Sequence, residues 1–289
     1  MKNVGANLRR VPLIFYILSV LICVAFILLS TAYFADDPKQ NESMLMYMVK
    51  GGNTLPALYM WHNALSSSDM NTWLLILTPL ICSMSYVYTF SIDMNSRCYL
   101  FSLNRQSLRK FTLSRFIGSG LYSSIIMLSS LMIAFVIALI YSHELGSYSY
   151  APICEMLIHK QSDFLAFAEV CVTYACYAFF MGVLSVTLAS FISNSFTSCS
   201  ALVLLLFMMG DMQSSYRNRF YKSVYRGEVT PDDYNHFTDF LFVGNPVHGM
   251  PDFENSFSVP YEVYITVCIA VVILMYILFH AIIKKKVII

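Results

Sequence analysis

The side chains that could do chemistry in this chain are few and scattered. Six histidines (His62, His143, His159, His236, His248 and His280) stand apart from one another in sequence, and no C-x-x-C occurs, so no metal-ligand spacing is present. Of eight cysteines, Cys23, Cys82, Cys171, Cys176, Cys199 and Cys268 fall inside apolar runs, Cys98 falls in a basic loop and Cys154 lies outside both. That distribution predicts no disulfide framework in the loops. There is no G-x-x-x-x-G-K-[ST], so the phosphate cradle of a P-loop ATPase is absent and any ATP-driven work must come from another chain. Neither G-x-S-x-G nor H-E-x-x-H is present, which removes the commonest hydrolase signatures.

Four ionisable residues sit in or beside long apolar runs: Glu169, Asp211, Glu262 and His280. A charge in hydrocarbon is costly, so each is a functional candidate by default. Asp211, Glu262 and His280 lie close to run ends, where snorkelling or interfacial water satisfies them. Glu169 is the candidate for a translocation path, with the plainer alternative that the helix starts near Leu165 and leaves the carboxylate wet.

These groups need elements to hold them, and composition says which. Apolar residues make up 57% of the 289 and charged residues 12%, with mean hydropathy +0.62. A water-soluble domain carries about 25% charged residues. A membrane crossing takes roughly 20 mainly apolar residues, and six stretches qualify: 11–34, 72–92, 113–142, 164–191, 195–210 and 260–283. The 164–210 stretch is too long for one crossing and is split at the polar cluster Ser190, Ser193, Asn194 and Ser195. The third run is long, and Arg115 near its start predicts that its first turns lie in the membrane interface.

Orientation follows the basic residues. With the N-terminus inside, the inner segments hold Lys2, Arg9, Arg10, Arg97, Arg105, Arg109, Lys110, Arg115, Lys284, Lys285 and Lys286, eleven of the eighteen Lys and Arg, against one acid, Asp93. Arg9 and Arg10 before an apolar run suit a signal peptide, but a signal's apolar core is only about 7–15 residues, and this run is longer, so it is read as a retained first helix. Trp61 and Trp73, with Tyr33, Tyr261 and Tyr264, are expected in the headgroup zone. The fold class expected is all-α: a polytopic membrane protein, one transmembrane domain over 1–289, six transmembrane helices, both termini cytoplasmic, multi-pass in a bacterial plasma membrane.

The inner loop between the second and third runs, 93–114, is the informative segment. Tyr99, Leu100 and Leu103 recur at helical spacing, as do Leu108 and Phe111, while Arg97, Arg105, Arg109 and Lys110 stay polar. Short amphipathic helices at the membrane surface account for that pattern; an ordinary topology-fixing basic loop is the alternative. An acid ending the second helix, an amphipathic stretch, the turn Arg105-Gln106-Ser107, a basic residue opening the third helix, and Asn245-Pro246 ahead of the last helix together resemble the permease subunits of ABC-2 type transporters. The chain has Asp93 where that family usually has Glu and Asn104 where it often has Pro.

The resemblance implies that this loop docks on a separate ABC ATPase subunit, with Tyr99, Leu100 and Leu103 as an apolar knob and Arg105 and Arg109 at its rim. It implies ATP-Mg on that partner and no cofactor on this chain, a second permease copy or homologue, contact with membrane lipid, and no nucleic acid. The function expected is ATP-driven export of an amphipathic or hydrophobic substrate, a peptide among the choices. Two readings compete: a membrane-embedded enzyme with its site at the outer face, and a non-catalytic scaffold or sensor.

Three outer segments, 35–71, 143–163 and 211–259, complete the chain. In the first, Leu55, Leu58, Tyr59 and His62 form an amphipathic turn expected to lie in the interface. The third carries Arg217, Arg219, Lys222 and Arg226, then Asp232, Asp233 and Asp239, with Phe240–Val243 as an apolar run expected to fold against the helix ends.

Overall fold

The computed structural model describes residues 11–29, 31–33, 41–49, 56–66, 77, 79–142, 163–192, 194–227 and 261–288. The expectations resting on Lys2, Arg9, Arg10, Leu55, Trp73, Cys154, Asp232, Asp233, Asp239, Phe240–Val243 and Asn245-Pro246 lie outside those residues.

The described chain is mostly helical. Helix α1, Leu13–Leu29, opens on Pro12, whose carbonyl accepts from the Phe15 amide at 3.1 Å. It stops short of the expected 34 because Thr31–Tyr33 (β1) pairs antiparallel with Asn41–Ser43 (β2), Thr31 opposite Ser43 and Tyr33 opposite Asn41. Ser43 then caps α2, Met44–Val49, its Oγ accepting from the Met46 amide at 3.2 Å. Helix α3, Ala57–Ser66, starts on Pro56. A π-helical turn, Pro79–Ser83, leads into α4, Met84–Asn95, and a single turn, α5, Tyr99–Leu103, precedes the long α6, Leu108–Ser142.

Helix α7 runs Asp163–Phe191 and α8 runs Ser195–Tyr225. Between them Asn194 caps α8, its side chain accepting from the Phe196 amide at 3.0 Å. Where apolar character ends near 210 the helix does not: 211–225 hold neither Gly nor Pro, and the stop comes at Gly227, which takes φ +70. The outer segment expected from 211 therefore begins as helix. Helix α9, Tyr261–Ile288, likewise continues past 283 through Lys284–Lys286, where cations suit the negative end of the helix dipole.

Among the described residues two helical stretches, Leu108–Ser142 and Val170–Phe191, are long and apolar enough to cross a membrane; Leu13–Leu29 and Phe196–Met208 are shorter apolar helices. The core is built on α6 and α7, which approach closely at small residues. A Cβ on Gly182 would stand 2.6 Å from the Ser119 carbonyl oxygen and 3.0 Å from the Gly120 Cα. Hydroxyls fasten the packing, Ser124 Oγ donating to the Ala175 carbonyl at 2.7 Å across this seam and Ser83 Oγ of the π-helical turn to Ser185 Oγ of α7 at 2.8 Å, as polar groups do between helices in lipid.

This seam gives a direct expectation. Gly182→Ala forces the α6 backbone away, and overpacking of that kind costs about 1–3 kcal/mol. Thermal unfolding of the detergent-purified chain measures it; a variant as stable as wild type would mean that the helices do not pack so closely.

Candidate functional site

Sequence spreads the ionisable candidates along the chain; the fold gathers several at one end of the bundle. Asp93 closes α4 and Arg115 stands two turns into α6, so the two flank the loop that joins those helices. Their side chains form an ion pair. Arg115 is 1% exposed, its guanidinium 5.6 Å from the centre of the Phe111 ring, and its Nε is buried without a hydrogen-bond partner. Arg115 does not open its helix: the helix starts seven residues earlier, at Leu108, and turns Arg115 inward onto Asp93. Tyr86 Oη also donates to the Arg115 carbonyl at 3.1 Å, tying α4 to α6 a second time.

His280 belongs to the same end. Its Nδ1 lies 2.9 Å from Thr112 Oγ1, and the rings of Phe116 and Tyr276 meet at 5.5 Å. Helices α6 and α9 are therefore antiparallel neighbours with 112 level with 280 and 116 level with 276. The Thr112 hydroxyl also reaches the Leu108 carbonyl at 3.1 Å, so the imidazole meets a partnered hydroxyl and not a poised nucleophile.

Between Asp93 and Arg115 the loop is held in a definite shape. Ser96 Oγ donates to the Ile92 carbonyl at 2.6 Å, and Arg97 takes φ 57 to reverse the chain. The turn α5 follows, its Tyr99 buried in the core cluster that also holds Phe111, Phe116 and Phe279, with Leu103 half-buried against the same cluster. Leu100 is 42% exposed and Phe101 74% exposed, with Arg97, Arg105, Arg109 and Lys110 exposed around them. The five residues expected to act together therefore divide. Tyr99 and Leu103 anchor the loop; Leu100 remains available; Arg105 and Arg109 form the rim. Phe101, which the helical-spacing reading passes over, is the most exposed apolar residue of the loop.

Glu169 lies elsewhere. It sits on α7 two residues after Phe167, whose ring packs against Phe135 of α6 at 4.6 Å, and twenty residues of helix, roughly 30 Å, separate Phe135 from Arg115. The side chains of Glu169 and Glu262 are outside the described residues. Asp211 is exposed on α8.

No protein-family model matches this chain, and neither a curated protein nor a solved structure does. The site must be read from its own geometry. Among the described residues no group of three or more His, Cys, Asp or Glu is placed to hold a metal ion. An apolar cleft of about 350 Å³ opens between α1 and the π-helical turn, lined by Phe15, Leu18, Ile22, Leu80, Met84 and Tyr88 among others. Its polar groups are the hydroxyls of Ser19, Ser85 and Tyr88, with no carboxylate, imidazole or amine in the lining. What the Arg115 end presents is a short exposed apolar projection with a basic rim, beside an ion pair that joins α4 to α6 through a buried arginine.

At the opposite end, helix α3 does not lie on the surface of the bundle: Leu58, Trp61 and Leu65 are buried in its core. Trp61 is 0% exposed, its Nε1 donates to the Leu131 carbonyl at 3.2 Å, and its ring stands 5.1 Å from that of Phe167. The side chains of Tyr59 and His62 are outside the described residues.

Proposed function

We propose that this chain is the transmembrane permease subunit of an ABC-2-like, ATP-driven exporter of an amphipathic or hydrophobic substrate, working beside a second permease with ATP-Mg hydrolysed on a separate ATPase subunit. Its helices lie in a bacterial plasma membrane with six crossings, the Arg115 end and both termini facing the cytoplasm. Support for the membrane comes from large apolar side chains exposed on α1 (Leu13, Ile14), α8 (Leu204, Met208) and α9 (Ile269, Ile273), a spread that water does not tolerate over a continuous patch. Support for the orientation is the excess of Lys and Arg at the Arg115 end.

The observation that carries the coupling role is the exposure of Leu100 and Phe101 on a turn that is otherwise clamped. A topology-fixing loop needs its cations but gains nothing from an exposed Phe mounted so firmly. In this reading ATPase closure pushes on α5, and the push passes through Asp93 and Arg115 into α4 and α6 together.

The test separates the two halves of the loop. A buried large apolar side chain contributes about 1.5–3 kcal/mol, so Leu100→Ser with Phe101→Ser weakens ATPase association by roughly 10²-fold or more, while the variant inserts and purifies as wild type. Tyr99→Ser instead lowers the stability of the chain itself. Replacing Arg105 and Arg109 with Gln alters chiefly association rate and salt dependence. Co-purification of the ATPase and substrate-stimulated hydrolysis in lipid are the readouts; a Leu100→Ser, Phe101→Ser chain that holds and stimulates its ATPase normally would sink the proposal.

A further inference from the structure

The α6–α9 seam beyond His280 carries two cations, Arg109 from the rim of the coupling loop and Lys284 from the end of α9. The pairs 112 with 280 and 116 with 276 share one antiparallel register, and one further turn brings Leu108 level with Lys284. Arg109 and Lys284 are both exposed there. From Met84 to Arg115 and from Tyr276 to Ile288 the only acid is Asp93, and that carboxylate is engaged with buried Arg115. The two cations therefore stand without a carboxylate of these segments to answer them.

What lies directly above them decides the ligand. Leu113, one turn along α6 from Arg109, is exposed, and so is Ile277, two turns along α9 from Lys284. Each helix thus presents a cation followed by apolar surface on the same face. An acidic protein would match the cations and leave the apolar stripes bare. A molecule with an anion joined to hydrocarbon matches both.

We infer that the α6–α9 seam is a binding site for an anionic phospholipid, its phosphate held by Arg109 and Lys284 and its acyl chains lying along Leu113 and Ile277. This rests on the reading that these helices lie in a bilayer. Basic seams between helices at the cytoplasmic face hold such headgroups, and here the site pins the end of α9 to the start of α6, the helix that carries the coupling loop.

The full-length chain, purified in detergent, is titrated with dioleoylphosphatidylglycerol, dioleoylphosphatidylcholine or soluble glycerol phosphate, with retained lipid counted by mass spectrometry and the unfolding temperature recorded. The expected result is that phosphatidylglycerol is retained and raises the unfolding temperature, phosphatidylcholine does so far less, and glycerol phosphate does not. Arg109→Gln with Lys284→Gln should weaken phosphatidylglycerol binding about tenfold or more, whereas Lys222→Gln with Arg226→Gln, an equal charge loss on α8, should leave it unchanged. Equal retention of the two lipids, full retention by the Arg109, Lys284 double variant, or equal stabilisation by glycerol phosphate overturns the site. Alkaline carbonate extraction tells the failures apart: a chain released from membranes overturns the bilayer reading as well, and one that stays in them with no lipid preference overturns this inference alone.

Discussion

Replacing Asp93 by Asn is expected to destabilise the protein by about 3–5 kcal/mol, the usual cost of breaking a buried ion pair from one side. The reason is asymmetry. Arg115 is 1% exposed and Asp93 is the acid it meets, so loss of the carboxylate leaves a guanidinium charge in an apolar surround, with Nε already unpartnered. Arg115→Met is expected to cost less, because Asp93 retains some exposure and its carboxylate can turn toward water. The double variant, Asp93→Asn with Arg115→Met, removes both charges and is expected to recover most of what the Asp93→Asn single variant loses, since a buried pair is often no better than apolar residues of similar size. Unfolding midpoints in detergent measure all three. If the double variant is as unstable as the sum of the singles, the two side chains do not interact and the clamp on the loop is not this pair.

Coupling should suffer in a different order from stability. The Asp93→Asn, Arg115→Met double variant is stable in this account but has lost the charged tie between α4 and α6. ATPase association should persist, because Leu100 and Phe101 are untouched, while substrate stimulation of hydrolysis falls. That split distinguishes a transmitting pair from one that only holds the fold.

How much of this could be read from the residues depends on whether the signal is local. Helical character and the apolar runs are local, and so is the break between α7 and α8, where Asn194 supplies its own cap. The far end of α8 misleads because loss of hydropathy is not a helix stop: after 210 the residues turn polar without a Gly or Pro, and the helix runs on to the turn at Gly227. The coupling loop is ambiguous for a geometric reason. In a five-residue helix, spacing places Tyr99 and Leu103 on one face, but nothing in the sequence says whether that face or the Leu100–Phe101 side meets the bundle. The packing of Tyr99 with Phe111, Phe116 and Phe279 in one core decides it. The Asp93–Arg115 pair left a faint trace, as a lone acid and a base on either side of one short loop; seeing it requires knowing that α6 begins at Leu108 and so rotates Arg115 inward.

Trp61 sharpens the contrast between the local reading and the folded one, because the two disagree by several kcal/mol. A tryptophan anchoring a loop in the headgroup zone keeps most of its surface wet, and its replacement by Ala would change stability little. The Trp61 found here is 0% exposed, with Phe135 at 5.7 Å and Phe167 at 5.1 Å between ring centres, and removing it leaves a hole lined by those two rings. Trp61→Ala is accordingly expected to cost about 3–5 kcal/mol. Trp61→Phe keeps much of the ring packing and loses the bond to the Leu131 carbonyl, about 1 kcal/mol. The same substitutions probe whether α3 closes its end of the bundle: a cavity at Trp61 should let a thiol reagent reach Cys171, buried on the neighbouring turn of α7 in the same core, faster in Trp61→Ala than in wild type. If Trp61→Ala unfolds with wild-type stability and Cys171 labels at the wild-type rate, α3 lies on the surface as its amphipathic pattern alone would have it.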